Sequence, residues 1–274
     1  MSGQASAVRG RPSDRRWFDQ TRMTDPGAPT AMLDRLPTTV GELCRVVQGA
    51  LIHLEWIPAY GLSLEDLPRA SRETLSLTER LRVLADIDPL PLVVPRPPKS
   101  RSPGTCRDYA LMLCGLLRRQ GIEARVRCGF AAYFKQPWED HWICEYRLAG
   151  EASWRRADPQ LDDILVAELG IHFDPIDLPG EMFLTADEAW RRCRSGSADP
   201  AMFGHGTTCG LWFMRVNVMR DHLVLNGAET SSWDSWRDAG PKHHVLSEDE
   251  LQAADVIAAD PAQAITLLSP PWIA

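Results

Sequence analysis

No apolar run in the 274-residue sequence approaches the roughly 18 residues that cross a bilayer, so no membrane partner is expected. The first residues, MSGQASAVRGRPSDRRWFDQ, lack the apolar stretch of a secretory signal. A cytoplasmic protein is the expectation. Basic charge is not in excess either: 30 Lys and Arg stand against 37 Asp and Glu, a formal charge of −7. Nucleic-acid binding needs a basic footprint, so nucleic-acid partners are not expected. The seven cysteines are odd in number and irregularly spaced, with no C-x-x-C pair. That argues against a disulfide framework and against a zinc knuckle. No internal repeat is present.

What is present is an ordinary globular mixture, 44% hydrophobic and 24% charged. Residues 1–30, rich in Gly, Ser, Pro, Arg and Asp, read as a disordered tail. Met23 within them is an alternative true start. Residues 31–274 read as a single domain with a helical lead-in (40–90), a motif-bearing core (100–165) and a C-terminal extension (166–274). Leu43, Val46, Val47, Ala50, Leu51 and Leu54 fall at helical spacing, which predicts one helix over 40–57, ended by Pro58. A second helix is predicted over 76–87, with Ser76 or Thr78 as N-cap and Leu81, Leu84 and Ala85 buried. The proline-dense DPLPLVVPRPPKSRSPG that follows reads as an extended connector.

A helix from Cys106 to about Gln120 should stop at Gly121. In IEARVRCGFAAYF, Ile122, Ala124, Val126 and Cys128 alternate with Glu123, Arg125 and Arg127, the pattern of a half-buried strand. HWICEYRL (141–148) alternates again, and 153–159 should return as its hairpin partner. One helix followed by sequential strands favours α+β with a mostly antiparallel sheet. Further helices are predicted over 185–196, over 247–260 through the Ser247/Glu250 capping box, and over 260–268. In CGLWFMRVNVMRDHLVLNG, helix and strand compete.

Cys106 lies directly behind the Pro-Gly-Thr turn, at the mouth of its helix. There the unpaired N–H groups and the positive end of the macrodipole stabilise a thiolate. The same N–H groups can hold an oxyanion once sulfur attacks a carbonyl carbon. The thiol needs a base, and His141 in EDHWICEY supplies an imidazole at a strand start. The base needs an orienting acceptor, and Asp158 in RRADPQ follows on the next strand. Nucleophile, base and orienter complete a triad in the general sense.

GTCRDYALMLCGLLRRQGIEARVRCGFAAYF, then DHWICEY, then WRRADPQLD, resemble the core of the transglutaminase-like superfamily over roughly residues 100–165. The resemblance implies a papain-like α+β fold, the Cys helix packed on an antiparallel sheet with extra helices at both ends. It implies Cys106 as nucleophile, His141 as base and acid, and Asp158 as orienter. It also implies an enzyme that forms a thioester acyl-enzyme from an amide or thioester donor and passes the acyl group to an amine, with small-molecule metabolism among the settings the family serves. Rival readings are an amidase or peptidase with water as acceptor, and a catalytically silent binding protein. Oligomeric state is left open.

No cofactor or metal is expected. The GHG at 204–206, His222 and the pair His243 and His244 match no ligand spacing. DPQLDD is no calcium loop and reads as a turn with solvated carboxylates. Cys114, Cys128 and Cys144 are expected in the core, and Arg107 and Asp108 as first-turn helix chemistry. Trp138, Trp142 and the WDSW at 233–236 are read as packing.

Overall fold

The computed structural model describes residues 15–27, 31–69, 74–232 and 244–262. The helix predicted over 260–268, the WDSW motif, His243 and residues 1–14 and 28–30 of the expected tail lie wholly or mostly outside them.

The elements run α1 (Val40–Gln48), β1 (Leu51–His53), α2 (Leu77–Ile87), β2 (Ser102–Gly104), α3 (Cys106–Arg119), β3 (Glu123–Ala131) and β4 (Trp138–Arg147). There follow β5 (Arg155–Ala157), α4 (Asp163–Leu169), β6 (Phe183–Thr185), α5 (Ala186–Arg194), β7 (Phe203–His205), β8 (Thr208–Cys209), α6 (Leu211–Leu225) and α7 (Glu248–Ala259). The architecture is α+β, as the order of helix and strands predicts. The main sheet has the order β6-β3-β4-β7-β8, with β5 also on β4. Every pairing in it is antiparallel except β4 with β7. A separate parallel pair joins β1 to β2. Among the described residues no helix is long and apolar enough to cross a membrane.

Ala110, Leu113, Cys114 and Leu117 of α3 pack with Ala124, Val126 and Cys128 of β3 and with Trp142 and Cys144 of β4. Helices α1 and α2 close the same cluster from outside. A second cluster gathers α5, α6 and α7 around Phe130. Gly121 stops α3 at φ 73°, with Ile122 N–H returning to Leu117 O at 3.0 Å. Ser76 and Glu79 box the start of α2, and Ser247 and Glu250 that of α7.

Four expectations are corrected. The helix predicted over 40–57 ends at Gln48. Beyond it, Gly49 O accepts from Arg96 N–H at 3.0 Å and Ala50 O from Ser102 N–H at 2.9 Å, so long-range partners draw this backbone out of the helix. The end of the proline-rich connector supplies that partner strand, β2. Residues 15–27 of the expected tail pack on the body: Trp17 and Thr24 are buried, and the Gln20 amide donates to Gly115 O at 2.8 Å. Strand β3 is buried on both faces. Its charged residue Arg127 is covered by α5 and α6, where it pairs with Asp221 at 2.8 Å, Glu145 at 3.1 Å and Asp187 at 3.3 Å. Such burial is tolerated because every charge has a partner. Burial works to raise the Glu145 carboxyl, but Arg127, Arg125 and Arg156 overcome it and hold it down at about 2.

Gly129 lies opposite His141 on β4 and opposite Thr185 on β6. A Cβ there would meet Leu184 O at 2.1 Å and the Phe183 ring at 2.8 Å. Gly129→Ala is therefore expected to destabilise the fold by about 1–3 kcal/mol, the usual cost of overpacking. Urea denaturation should show a lower midpoint with an unchanged slope.

Candidate active site

Helix α3 begins at Cys106 because Thr105 ends the extended segment and Asp108 turns back on it. Asp108 Oδ2 accepts the Thr105 N–H at 2.8 Å, and Arg80 grips the same oxygen at 3.0 Å. The first-turn reading of Asp108 thus gains a long-range partner. Arg107 reaches away from the sulfur, its Nε donating to Thr230 O. The first N–H groups of a helix have no acceptor within it, so the backbone beside the half-buried Cys106 retains donating capacity.

His141 stands near the start of β4, and Asp158 directly follows β5, which is held to β4 by the pair Cys144 and Ala157. The two side chains meet with Nε2 to Oδ2 at 2.7 Å, at 2% and 1% exposure. Asp158 is further fixed by the Tyr133 hydroxyl, which donates to Oδ2 at 2.7 Å, and by the Gln160 N–H, which donates to Oδ1 at 2.9 Å. Burial raises the Tyr133 phenol well above its usual range, with the Asp158 charge adding to it, so the hydroxyl stays a donor. Cys106 lines the same pocket as His141 and is near enough to contribute to the charge on its ring. With Nε2 committed to Asp158, Nδ1 is the nitrogen left to sulfur.

Burial is the largest influence on His141 and lowers its pKa. The Asp158 charge, the hydrogen bond to Asp158 and the contact with Cys106 together outweigh burial and raise it to about 10. The ring is therefore a cation at neutral pH. Of the three residues named from sequence, the structure sets His141 against Asp158 and places Cys106 on the same pocket as His141.

Cys106 and His141 open on a pocket of about 90 Å³. Trp56, Phe134 and Trp142 give it aromatic walls, and His53, Glu55, Gln160 and His205 give it polar groups. Trp142 is thus pocket wall as well as core, while Trp138 stacks on Phe203 at 5.6 Å. Asp140 also lines the pocket; burial raises its carboxyl, and Arg220 opposes the rise. The turn after Asp158 is not a set of solvated carboxylates. Asp162 caps α4 by accepting from Leu165 N–H at 3.1 Å, and it takes the Tyr60 hydroxyl at 2.9 Å.

At the pocket rim His205 joins two acids that are remote in sequence. Its Nε2 lies 3.0 Å from Glu55 and its Nδ1 3.4 Å from Glu139. One donor atom from each of the three falls within 4.8 Å of the others, a spacing that also suits a metal ion. Both ring nitrogens already face carboxylates, so an imidazolium bridging two anions satisfies the cluster. The other histidines of the sequence reading lie elsewhere. His222 Nδ1 meets Pro261 O at 2.8 Å, and His244 stacks on Trp212. Sequence reasoning missed Tyr133, His53, Glu55 and the rim role of His205. The aromatic pair in AAYF was visible as residues but carried no spacing signal, and the others depend on contacts distant in sequence.

Residues 95–159 match the family model of the transglutaminase-like superfamily. No curated protein and no solved structure matches the chain.

The hydrogen bonds to Glu139 and Glu55 raise His205 to about 10, against the lowering effect of burial. The attraction this represents is fully present below the free histidine value of about 6.5. It is lost as pH rises through about 10. Proton NMR of the His205 ring should show that high titration, and Glu139→Gln should move it toward 6.5. A His205 titration unaffected by Glu139→Gln would contradict the bridge.

Proposed function

We propose, for a chain whose residues 95–159 carry the transglutaminase-like core, a cysteine-dependent acyl transfer through a thioester acyl-enzyme. The donor is an amide or thioester and the acceptor an amine; with water as acceptor the same sequence of steps is hydrolysis. The observation that supports this reading is the buried His141–Asp158 pair, with His141 and the half-buried Cys106 on one pocket.

The one proton shared by Cys106 and His141 resides on the ring, so Sγ attacks the donor carbonyl carbon without one. A C–S bond forms, and the C=O π pair moves onto oxygen beside the first N–H of α3. The tetrahedral adduct collapses as the bond to the leaving nitrogen or sulfur breaks. That atom takes the proton held by His141. The neutral imidazole then takes a proton from the incoming amine or water, which attacks the thioester and releases Sγ. Asp158, fixed by Tyr133 and the Gln160 N–H, holds the ring in orientation and stabilises its charged form. A pocket of about 90 Å³ suits a small acyl group or a single side chain.

Two measurements test this. Incubation with a short-chain acyl thioester or a glutamine peptide should add the acyl mass to Cys106, with none in Cys106→Ala. A primary amine in the mixture should yield amide; free acid instead would assign the hydrolase, and no adduct from either donor would overturn the proposal. Second, transfer requires a proton on His141, so the rate should fall as pH rises through about 10. Asp158→Asn removes the charge that raises this value. It should lower kcat by about 10²–10⁴-fold, the usual reach of acid–base assistance, and bring the alkaline limb toward about 6.5.

A further inference from the structure

A second histidine reaches the same pocket, and the steps above give it no part. His53 ends β1, and the parallel pairing of β1 with β2 sets it opposite Gly104, two residues before Cys106. It is 7% exposed and lines the pocket with Cys106 and His141. Its Nδ1 accepts the Glu55 N–H at 3.3 Å. A neutral imidazole that accepts through one nitrogen carries its proton on the other, so Nε2 is a donor. Among the described residues no group accepts from Nε2, and that atom is not sealed away from solvent. It opens on the pocket.

Burial, above all, drives His53 down to about 4; Glu55 pulls the other way and the neighbouring His141 charge adds to burial. The two imidazoles of one pocket are therefore held in opposite states, His141 as a cation and His53 as a neutral ring. Environments that push two like groups apart assign them different tasks. A neutral ring with a fixed N–H cannot supply a proton cheaply, but it can polarise an oxygen without losing that proton.

We propose that His53 is a further catalytic residue, donating its Nε2–H to the carbonyl oxygen of the donor as Cys106 Sγ adds to the carbon. With the Cys106 N–H it forms the two-donor site for the oxyanion. This rests on the acyl-transfer reading. As the C–S bond forms, the π pair settles on oxygen between the two donors. When the adduct collapses, the C=O bond re-forms and the leaving group departs with the proton of His141, while His53 keeps its own. Trp142 is the competing donor, since its indole N–H has no hydrogen-bond partner among the described residues and the ring lines the same pocket. That N–H is shut off from solvent and Nε2 of His53 is not, which favours His53.

The experiment compares two reactions at the Cys106 peptide. Acylation by a short-chain thioester passes through an oxyanion; alkylation by iodoacetamide does not. His53→Leu should slow acylation by about 10²–10³-fold, as loss of one oxyanion donor does. The loss should fall in kcat with KM little changed, and alkylation should stay within about twofold of the unsubstituted protein. His53→Gln, which returns a side-chain N–H, should recover part of the rate, and Trp142→Phe should lose little. Unchanged acylation in His53→Leu overturns the assignment. So does an equal loss of alkylation in both His53 variants, which would mark a structural role, or a large loss in Trp142→Phe alone. If the unsubstituted protein forms no acyl-enzyme, the acyl-transfer reading fails first and the role of His53 with it.

Discussion

A carboxylate and an imidazole, both nearly sealed from water and 2.7 Å apart, set the terms for the rest of the site. An imidazole alone at that depth would shed its charge. Beside Asp158 it keeps its proton to about 10, and the hydroxyl of Tyr133 and the N–H of Gln160 satisfy the other lone pairs of Asp158. With Nε2 on Asp158, Nδ1 is the ring nitrogen available on the pocket that Cys106 also lines. The long pairing of β3 with β4, nine residue pairs from Glu123 to Ala131, fixes where that ring stands. The buried ion network around Arg127 ties this ribbon to α5 and α6.

His53 and His141 illustrate how little residue type decides. Both are buried histidines on one pocket. One lies next to a buried carboxylate and keeps its proton to about 10; in the other, burial outweighs the pull of Glu55, a neighbouring cation adds to it, and it falls to about 4. No local sequence pattern reports that difference in charge. The difference is made by partners that arrive from other elements.

That contrast also separates what was legible in the sequence from what was not. The placing of Cys106 on one pocket with His141, and of His141 against Asp158, was legible because each residue sits in a local signal: a turn before a helix, an alternating strand, a hairpin return. The start of α7 was legible for the same reason, since Ser247 and Glu250 complete their box within one turn. Strand β1 was not. Leu51, Ile52 and His53 are all buried, so the segment shows no alternation and continues the apolar spacing of α1. Helix α6 is buried around nearly its whole circumference, which removes the polar face that would mark a 3.6-residue period. Arg127 reads as a solvent-facing residue until three carboxylates from elsewhere in the chain are placed around it.

The pocket is assembled from two sources. Cys106, Phe134, His141 and Trp142 belong to the segment with the family match, residues 95–159. His53, Glu55, Trp56, Gln160 and His205 come from outside it. The proposed nucleophile and base are thus carried by one short stretch, while nearly half of the pocket lining is grafted from the flanks. Drift among those flanking residues, His53 apart, retunes appetite without retooling the thiol, so divergence among chains built on this plan should concentrate there.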